Sequence, residues 1–142
     1  MAASVGFEAE TEFCIAVNSD NDLVAARRKG RVLAEQIGFS GSEATLVATA
    51  ISELARNIVS YAGRGEILLS TVGNGSSIGI TVIARDQGPG IADTRRVLEH
   101  GYSTSGGLGL GLPGVRRIMD EFDIISAPGL GTTITVTKWK RR

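Results

Sequence analysis

The amino-acid sequence predicts an α/β protein, an α+β sandwich whose helices pack on one face of a mixed, mostly antiparallel sheet. Three observations lead to this fold class. The segments follow the order strand, helices, strands, helix, strands. One long helical segment carries a continuous apolar stripe that can cover a sheet. Two pairs of strands are each separated by glycine-containing turns that are typical of hairpins.

The first predicted elements are a strand and a helix. Apolar residues alternate with others toward the end of Phe7–Val17, which indicates a strand. Asp20 or Asn21 can then cap a helix of about seventeen residues that ends near Gly38.

The second helix has clear signals at both ends. Ser40 is followed three positions later by Glu43, which is the spacing of a capping box. Gly63 and Gly65 are expected to end the helix. Between these signals, four apolar residues recur at helical spacing and form one stripe: Val47, Ile51, Leu54 and Ile58.

The second half of the chain reads as two hairpins that flank helical segments. The first hairpin turns at Gly73-Asn74-Gly75-Ser76 and the second around Pro128-Gly129-Leu130-Gly131. The expected strands are Glu66–Val72, Ile78–Arg85, Phe122–Ser126 and Thr132–Trp139, and the expected helices are a short one at Asp93–Glu99 and a longer one at Leu112–Glu121.

Length and composition favour one domain spanning residues 1–142, with residues 1–8 as the segment open to disorder. Hydrophobic residues make up 42% of the chain, enough for a core, and charged residues make up 21%. The 15 basic side chains equal the 15 acidic ones, which argues against a general nucleic-acid binder or a membrane-surface protein. No apolar run approaches the length of a membrane span.

The single cysteine and the basic end of the chain invite simple interpretations. Cys14 lies in the first strand, where a buried, unreactive thiol is expected, and one unpaired cysteine fits a reducing cytoplasm. The last basic residues are expected to be a solvated chain end: Lys138, Lys140, Arg141 and Arg142.

Glu53 and Asn57 lie one turn apart on the second helix and well away from its apolar stripe. A carboxamide oxygen at Asn57 can bind Mg²⁺, and a carboxylate at Glu53 can accept a proton from an attacking hydroxyl or water. The same spacing is also typical of a solvated polar face that includes Arg56, and this pair alone favours that interpretation.

Two glycine-rich segments offer complementary chemistry. Asp86, directly after a strand, can accept a hydrogen bond from an exocyclic amine, while Gly88 and Gly90 let a flat ring approach the backbone. The run Gly106–Gly111 precedes a helix, so its N–H groups can converge on an anion. It is neither a Walker A loop nor a Rossmann fingerprint, because the required lysine and preceding parallel strand are missing. A simple turn and a flexible hinge remain the structural alternatives.

Four motifs occur in the order found in the GHKL ATPase/kinase superfamily: ISELARN, ARDQGPG, GGLGLGL and SAPGLGTT. Within that superfamily the chain resembles most closely the RsbT-type serine/threonine switch kinases of the bacterial stressosome, over about residues 22–139. The resemblance implies a Bergerat-type ATP-binding fold. It also favours a catalytic and metal-binding role for Glu53 and Asn57 over a solvated polar face.

The resemblance also implies roles for individual residues. Glu53 would be the general base, and Asn57 would bind the Mg²⁺ that bridges the phosphates of ATP. Asp86 would bind the adenine amino group, and Thr132 would support it. The residues expected to shape the adenine pocket or contact the phosphates are Gly88, Gly90, Gly107, Leu108, Gly109, Leu110 and Gly111.

The implied function is a cytoplasmic protein serine/threonine kinase. Its partners would be STAS-domain scaffold and antagonist proteins, RsbS-like and RsbR-like, and after release it would activate a serine phosphatase of RsbU type. Two alternatives share the same ATP motifs: an anti-sigma factor kinase that sequesters a sigma subunit, and a non-catalytic ATP-dependent binding switch. Retention of Glu53 argues against the switch.

Overall fold

A computed structural model describes residues 8–90 and 111–140 of the chain. Within these ranges the chain forms five strands and three helices. The strands are β1 (Glu8–Val17), β2 (Gly65–Asn74), β3 (Ser77–Asp86), β4 (Glu121–Ser126) and β5 (Thr132–Trp139), and the helices are α1 (Asp20–Gln36), α2 (Gly41–Tyr61) and α3 (Gly111–Ile118). The predicted helix at 93–99 lies outside the described residues.

The five strands form one sheet in the order β1-β2-β3-β5-β4. All four neighbouring pairs are antiparallel, so the expectation of a mixed sheet is wrong for the described part of the chain. The reason lies in the connections. Helices α1 and α2 lead away from the end of β1 and back again, so that Gly65 of β2 begins opposite Val17. The hairpins then keep the alternation of strand directions.

The helices cover one face of the sheet, as predicted. The whole apolar stripe of α2 is buried, and it meets the sheet residues that alternate toward the same face. Burial of such a side chain contributes about 2 kcal/mol, so this interface dominates the stability of the fold. Its central residues are Ile51, Leu54, Ile58, Ile67, Leu69, Ile80, Val82, Ile134 and Val136.

The ends of α2 follow the sequence signals. The Ser40 hydroxyl accepts a hydrogen bond from the backbone N–H of Glu43 at 3.1 Å, which satisfies a donor that the first helical turn leaves free. At the other end, the N–H of Gly63 donates to the Ile58 carbonyl at 3.0 Å, and its φ of +83° suits glycine.

The start of α1 differs from the prediction. Ser19 occupies the cap position, and both Asp20 and Asn21 lie inside the helix. The Ser19 side chain makes no cap hydrogen bond to the first turn. Instead, the Asp22 carboxylate reaches back and accepts the N–H of Asn18 at 2.8 Å, which stabilises the entry into the helix.

The C-terminal elements have shifted boundaries. Helix α3 ends at Ile118, before the expected Glu121, because the Asp120 N–H already donates to the Thr137 carbonyl at 2.9 Å and β4 begins. In the β2–β3 hairpin, Asn74 pairs with Ser77, which leaves a turn of two residues rather than four.

Two expectations about exposure are wrong. Cys14 is exposed on the sheet face opposite the helices, and its thiol donates to Glu66 Oε1 at 3.3 Å. Lys138 is only 5% exposed, because the alternation of β5 points it toward the helices. Its Nζ donates to the Ile118 carbonyl at 3.0 Å, where the end of α3 favours a positive charge. No helix within the described ranges is long and apolar enough to cross a bilayer.

Candidate functional site

Helix α2 places Glu53 and Asn57 on one face, and both side chains are buried, with 7% and 5% exposure. The alternative of a solvated polar face is therefore wrong for this pair. For Glu53 the cause is α3, which packs against α2 and begins beside this side chain. Spacing on a helix cannot reveal such cover, because it comes from a segment more than fifty residues away.

Each oxygen of the Glu53 carboxylate has its own donor. Oε2 accepts from Arg56 Nη1 at 2.8 Å, and Oε1 accepts from the backbone N–H of Gly111 at 3.2 Å. Gly111 is the first residue of α3, with a φ of +66°. The carboxylate thus links the middle of α2 to the N-terminus of α3, the place where backbone N–H groups favour an anion.

The side-chain oxygen of Asn57 is buried and has no hydrogen-bond partner among the residues that the structure describes. A buried carbonyl oxygen without a partner costs about 1–3 kcal/mol, which a fold tolerates mainly where a ligand supplies the missing contact. An amide oxygen without a partner is a hard ligand of the kind that Mg²⁺ prefers. Asn57 therefore fits the predicted metal role on the chemistry of this chain.

Asp86 is the last residue of β3, and its side chain lies on the helix-covered face of the sheet. Its Oδ1 accepts the N–H of Gly88 at 2.8 Å, which fixes the carboxylate in a local turn. A Cβ added to Gly88 would come within 2.6 Å of the Ala62 Cβ, so this loop lies against the end of α2. Gly90, with a φ of +81°, passes so close to the Ala127 carbonyl that a side chain there would overlap it.

The loop before β5 is fastened to the loop after β3. Thr132 is buried and lies directly opposite Asp86 in the β3–β5 ladder. Its hydroxyl is 2.7 Å from the Ser126 hydroxyl. The N–H of Gly129 donates to the Pro89 carbonyl at 2.7 Å. The structure therefore brings the predicted adenine residues together.

Gly65 connects the two groups of residues, whereas its place in the sequence predicts only the end of α2. It pairs with Asp86 in the β2–β3 ladder. A Cβ added to Gly65 would lie 2.8 Å from Ile58 Cγ2 and 3.1 Å from the Asp86 Cβ. Its bare backbone thus lets α2 lie close to the strand end that carries Asp86. A glycine that both follows a helix and begins a strand was the only signal for this role.

Four predicted phosphate-binding residues cannot be placed: Gly107, Leu108, Gly109 and Leu110 lie outside the described residues. Arg56 is a further residue of the site, although its place on the helix predicts only a polar face.

A cavity of about 340 Å³ adjoins the site without being part of it. It shares Asp86 and Gly65 with the candidate site, but Glu53, Asn57 and Thr132 do not line it. The adjoining Glu66 carboxyl has a pKa below its usual value, because it accepts a hydrogen bond from Arg85 and another from Cys14. In turn, the hydrogen bond to Glu66 raises the pKa of the Cys14 thiol.

Comparison with known proteins identifies the family of the chain. Residues 17–138 match the family model of the histidine kinase-like ATPase domain. The serine/threonine-protein kinase RsbT of Bacillus subtilis is 52% identical over 128 residues, which is 90% of this chain and 96% of that protein. An anti-sigma F factor of a Thermoanaerobacter species is 29% identical over 80% of this chain and 82% of its own length.

A crystal structure of the RsbU and RsbW domains of a Mycobacterium tuberculosis protein shares the fold. It superimposes with a TM-score of 0.59 at 21% identity, covering 92% of this chain and 33% of that one. The match at 52% identity carries more than the fold, because it extends over nearly the whole of both proteins. The chain thus belongs to the histidine kinase-like ATPase domain family and, within it, to the serine/threonine-protein kinases of the RsbT type.

Proposed function

We propose that this kinase transfers the γ-phosphoryl group of ATP to a serine or threonine of STAS-domain stressosome proteins, with Glu53 as the general base. The observation that carries the proposal is the buried pair of Glu53 and Asn57 beside the N-terminus of α3. Burial of the Glu53 carboxylate costs free energy of folding. A protein that only binds nucleotide gains nothing from this cost, whereas a kinase needs the carboxylate as its base.

The described residues divide the work on the nucleotide. Asp86 would accept a hydrogen bond from the adenine amino group, and Thr132 would hold that end of the sheet in place. At the phosphate end, Asn57 would hold Mg²⁺, which neutralises charge on the phosphates. The N-terminus of α3, which begins at Gly111, would favour the same negative charge.

The transfer itself requires one proton acceptor. The hydroxyl oxygen of the substrate forms a bond to the γ-phosphorus while the bond from that phosphorus to the bridging oxygen breaks, and ADP leaves with the electron pair. The hydroxyl proton passes to Glu53, which later releases it to water. The products are ADP and a phosphorylated serine or threonine.

The test is single-turnover transfer of radiolabelled phosphate from Mg²⁺-ATP to purified RsbS-like and RsbR-like proteins. We expect labelling by the wild type and a loss on the order of a hundredfold or more in Glu53→Gln. The variant should keep its melting temperature and its affinity for ATP. Wild-type labelling of none of these proteins would overturn the substrate assignment, and undiminished transfer by Glu53→Gln would overturn the assignment of the base.

The downstream partner that we propose is a serine phosphatase of the RsbU type, activated in the cytoplasm when the kinase leaves its STAS substrate. The support is the RsbT relationship. Titration of the purified kinase into such a phosphatase should raise phosphatase activity. Prior addition of unphosphorylated RsbS-like protein should suppress the effect. Absence of activation at saturating kinase would remove this partner.

A second candidate is an anti-sigma factor kinase, favoured by the 29% identity to an anti-sigma F factor. The higher identity to RsbT over more of the chain favours the first proposal. Purification of the tagged protein from cells separates the two: a sigma subunit recovered in stoichiometric amount would support the anti-sigma role.

A further inference from the structure

The ion pair between Arg56 and Glu53 differs from the pair Arg31–Glu35, which also lies within one helix. Arg56 Nη1 lies 2.8 Å from Glu53 Oε2, and the carboxylate is 7% exposed while the arginine is 37% exposed. The pair Arg31–Glu35 on α1 is longer, 3.5 Å, and both of its side chains are about half exposed. Exposed pairs contribute little, whereas an arginine that reaches a buried carboxylate fixes its orientation.

The two donors of Glu53 lie on different elements and therefore restrict the rotation of its carboxylate. Oε2 is held by Arg56, one turn away on the same helix, and Oε1 is directed at the N–H of Gly111 on α3. Each carboxylate oxygen can accept two hydrogen bonds, so Oε1 keeps a lone pair after accepting from Gly111. That lone pair lies at the end of α3 that favours phosphate charge.

We propose that Arg56 is a positioning residue for the transfer reaction, which holds Glu53 so that Oε1 is the atom that takes the proton. This inference rests on the proposed role of Glu53 as the base. The substrate hydroxyl gives its proton to Oε1 as its oxygen bonds to the γ-phosphorus, and the electron pair of the broken phosphorus–oxygen bond leaves with ADP. Arg56 itself exchanges no proton and keeps its charge throughout.

The position of Arg56 explains why an arginine suits this task. Its guanidinium presents several N–H groups in a rigid plane, so it can hold Oε2 while part of it remains in water. Without it, the carboxylate is free to turn about its last bond, and Oε1 loses its fixed direction. A misplacement of a reacting group by about 1 Å costs on the order of a hundredfold in rate, and a lost rotational restraint costs less.

The test compares Arg56→Ala and Arg56→Lys with the matched control Arg31→Ala. We expect Arg56→Ala to lower kcat by about tenfold or more while KM for ATP and for the protein substrate stays within about twofold. Arg56→Lys should recover part of kcat, because it restores the charge. Arg31→Ala should leave both constants unchanged. A raised KM for the protein substrate with unchanged kcat would instead make Arg56 a docking residue and overturn the proposal.

An NMR measurement in the absence of substrates separates this inference from the proposed function. The amide resonance of Gly111 should shift in Arg56→Ala in the same direction as in Glu53→Gln, because both changes weaken its hydrogen bond to Oε1. If the Gly111 resonance shifts but the wild type has no kinase activity, Arg56 does restrain Glu53, and it is the proposed kinase function that is wrong. Full activity of Arg56→Ala, or a Gly111 resonance that does not move, would overturn the inference. The role of Glu53 as the base would be unaffected, because the Glu53→Gln variant tests it separately.

Discussion

The backbone of Gly131 lies directly against the carbonyl of Asp86, at the point where β5 begins beside the end of β3. A Cβ built on Gly131 would overlap that carbonyl oxygen, and the residue has a φ of +80°. The neighbouring Thr132 pairs with Asp86 in the ladder. The position of Asp86, the proposed adenine-binding residue, therefore depends on the absence of a side chain at Gly131.

Gly131→Ala should destabilise the protein by about 3 kcal/mol or more, because overlap with the Asp86 carbonyl adds to the strain of a left-handed backbone. Gly129→Ala is the matched control. It has the same φ of +80° but nothing within 4 Å of an added Cβ, so it should cost only about 1 kcal/mol. Urea denaturation measures both. Equal losses would mean that the close approach to Asp86 has no energetic weight.

Asn57→Leu should separate stability from binding. Removal of a buried oxygen without a partner should keep or raise the free energy of unfolding, by up to about 1 kcal/mol, while the Mg²⁺-dependent part of ATP affinity is lost. Thermal melting and calorimetric titration with and without Mg²⁺ measure the two effects. Ser52→Ala, a buried change on the same helix away from the proposed metal role, should retain Mg²⁺-dependent binding. Unaltered Mg²⁺ dependence in Asn57→Leu would contradict the metal assignment.

The thiol of Cys14 should react slowly with iodoacetamide despite its exposure. Its hydrogen bond to Glu66 raises the pKa of the thiol, so less thiolate is present at pH 8 than for an ordinary cysteine. Glu66→Ala removes the acceptor and leaves the positive charge of Arg85, so the thiol pKa should fall and alkylation should become faster. Glu12→Ala removes the smallest of the causes that raise this pKa and should accelerate the reaction less. The same rate in all three proteins would refute the interaction.

The stability contribution of Cys14 has a defined pH dependence. Because the folded pKa is raised, the contribution is complete below the ordinary thiol value of 9.0 and is lost as the pH rises through the folded pKa. Glu66 has the opposite sign: its folded pKa is lowered, so its contribution is present above the ordinary value of 4.5 and is lost as the pH falls.

Lys138→Ala should destabilise the protein by roughly 1–3 kcal/mol, since it removes a buried stem and leaves the Ile118 carbonyl without its donor. Lys140→Ala is the control, because that lysine is exposed and lies two residues further along the chain. Its effect should stay within about 0.5 kcal/mol. Thermal melts of both variants decide. A larger loss in Lys140→Ala than in Lys138→Ala would contradict the described burial.

Much of the fold was predictable, because local signals and tertiary packing agree in it. The bounds of β5 match the prediction, and the stripe of α2 is buried throughout. The expectation of a mixed sheet is wrong for the described residues, because the direction of β2 relative to β1 depends on how α1 and α2 connect the two strands. The expected burial of Cys14 and the expected exposure of Lys138 are wrong, because the side of the sheet that receives the helices decides which alternate residues are exposed.

Candidate site residues could be named from the sequence, but their contacts could not. The family motif predicts Glu53 and Asn57, whereas the burial of Glu53 depends on α3, which lies far along the chain. Arg56 and Gly65 were missed as site residues, because their roles depend on a distance to a partner and on a backbone approach. The roles of Gly107 and Gly109 remain predictions, since these residues lie outside the described ranges.

The double pairing of Asp86 limits how the chain can change in length. Asp86 faces Gly65 on one side and Thr132 on the other. Since strand side chains alternate, deletion of one residue from β3 would turn Asp86 to the opposite face of the sheet. Removal of a matched pair from both strands of the hairpin would preserve its direction. Natural insertions and deletions in this hairpin should therefore occur at the turn or in matched pairs. Insertion or deletion of a single residue within β3 should not be found in functional relatives.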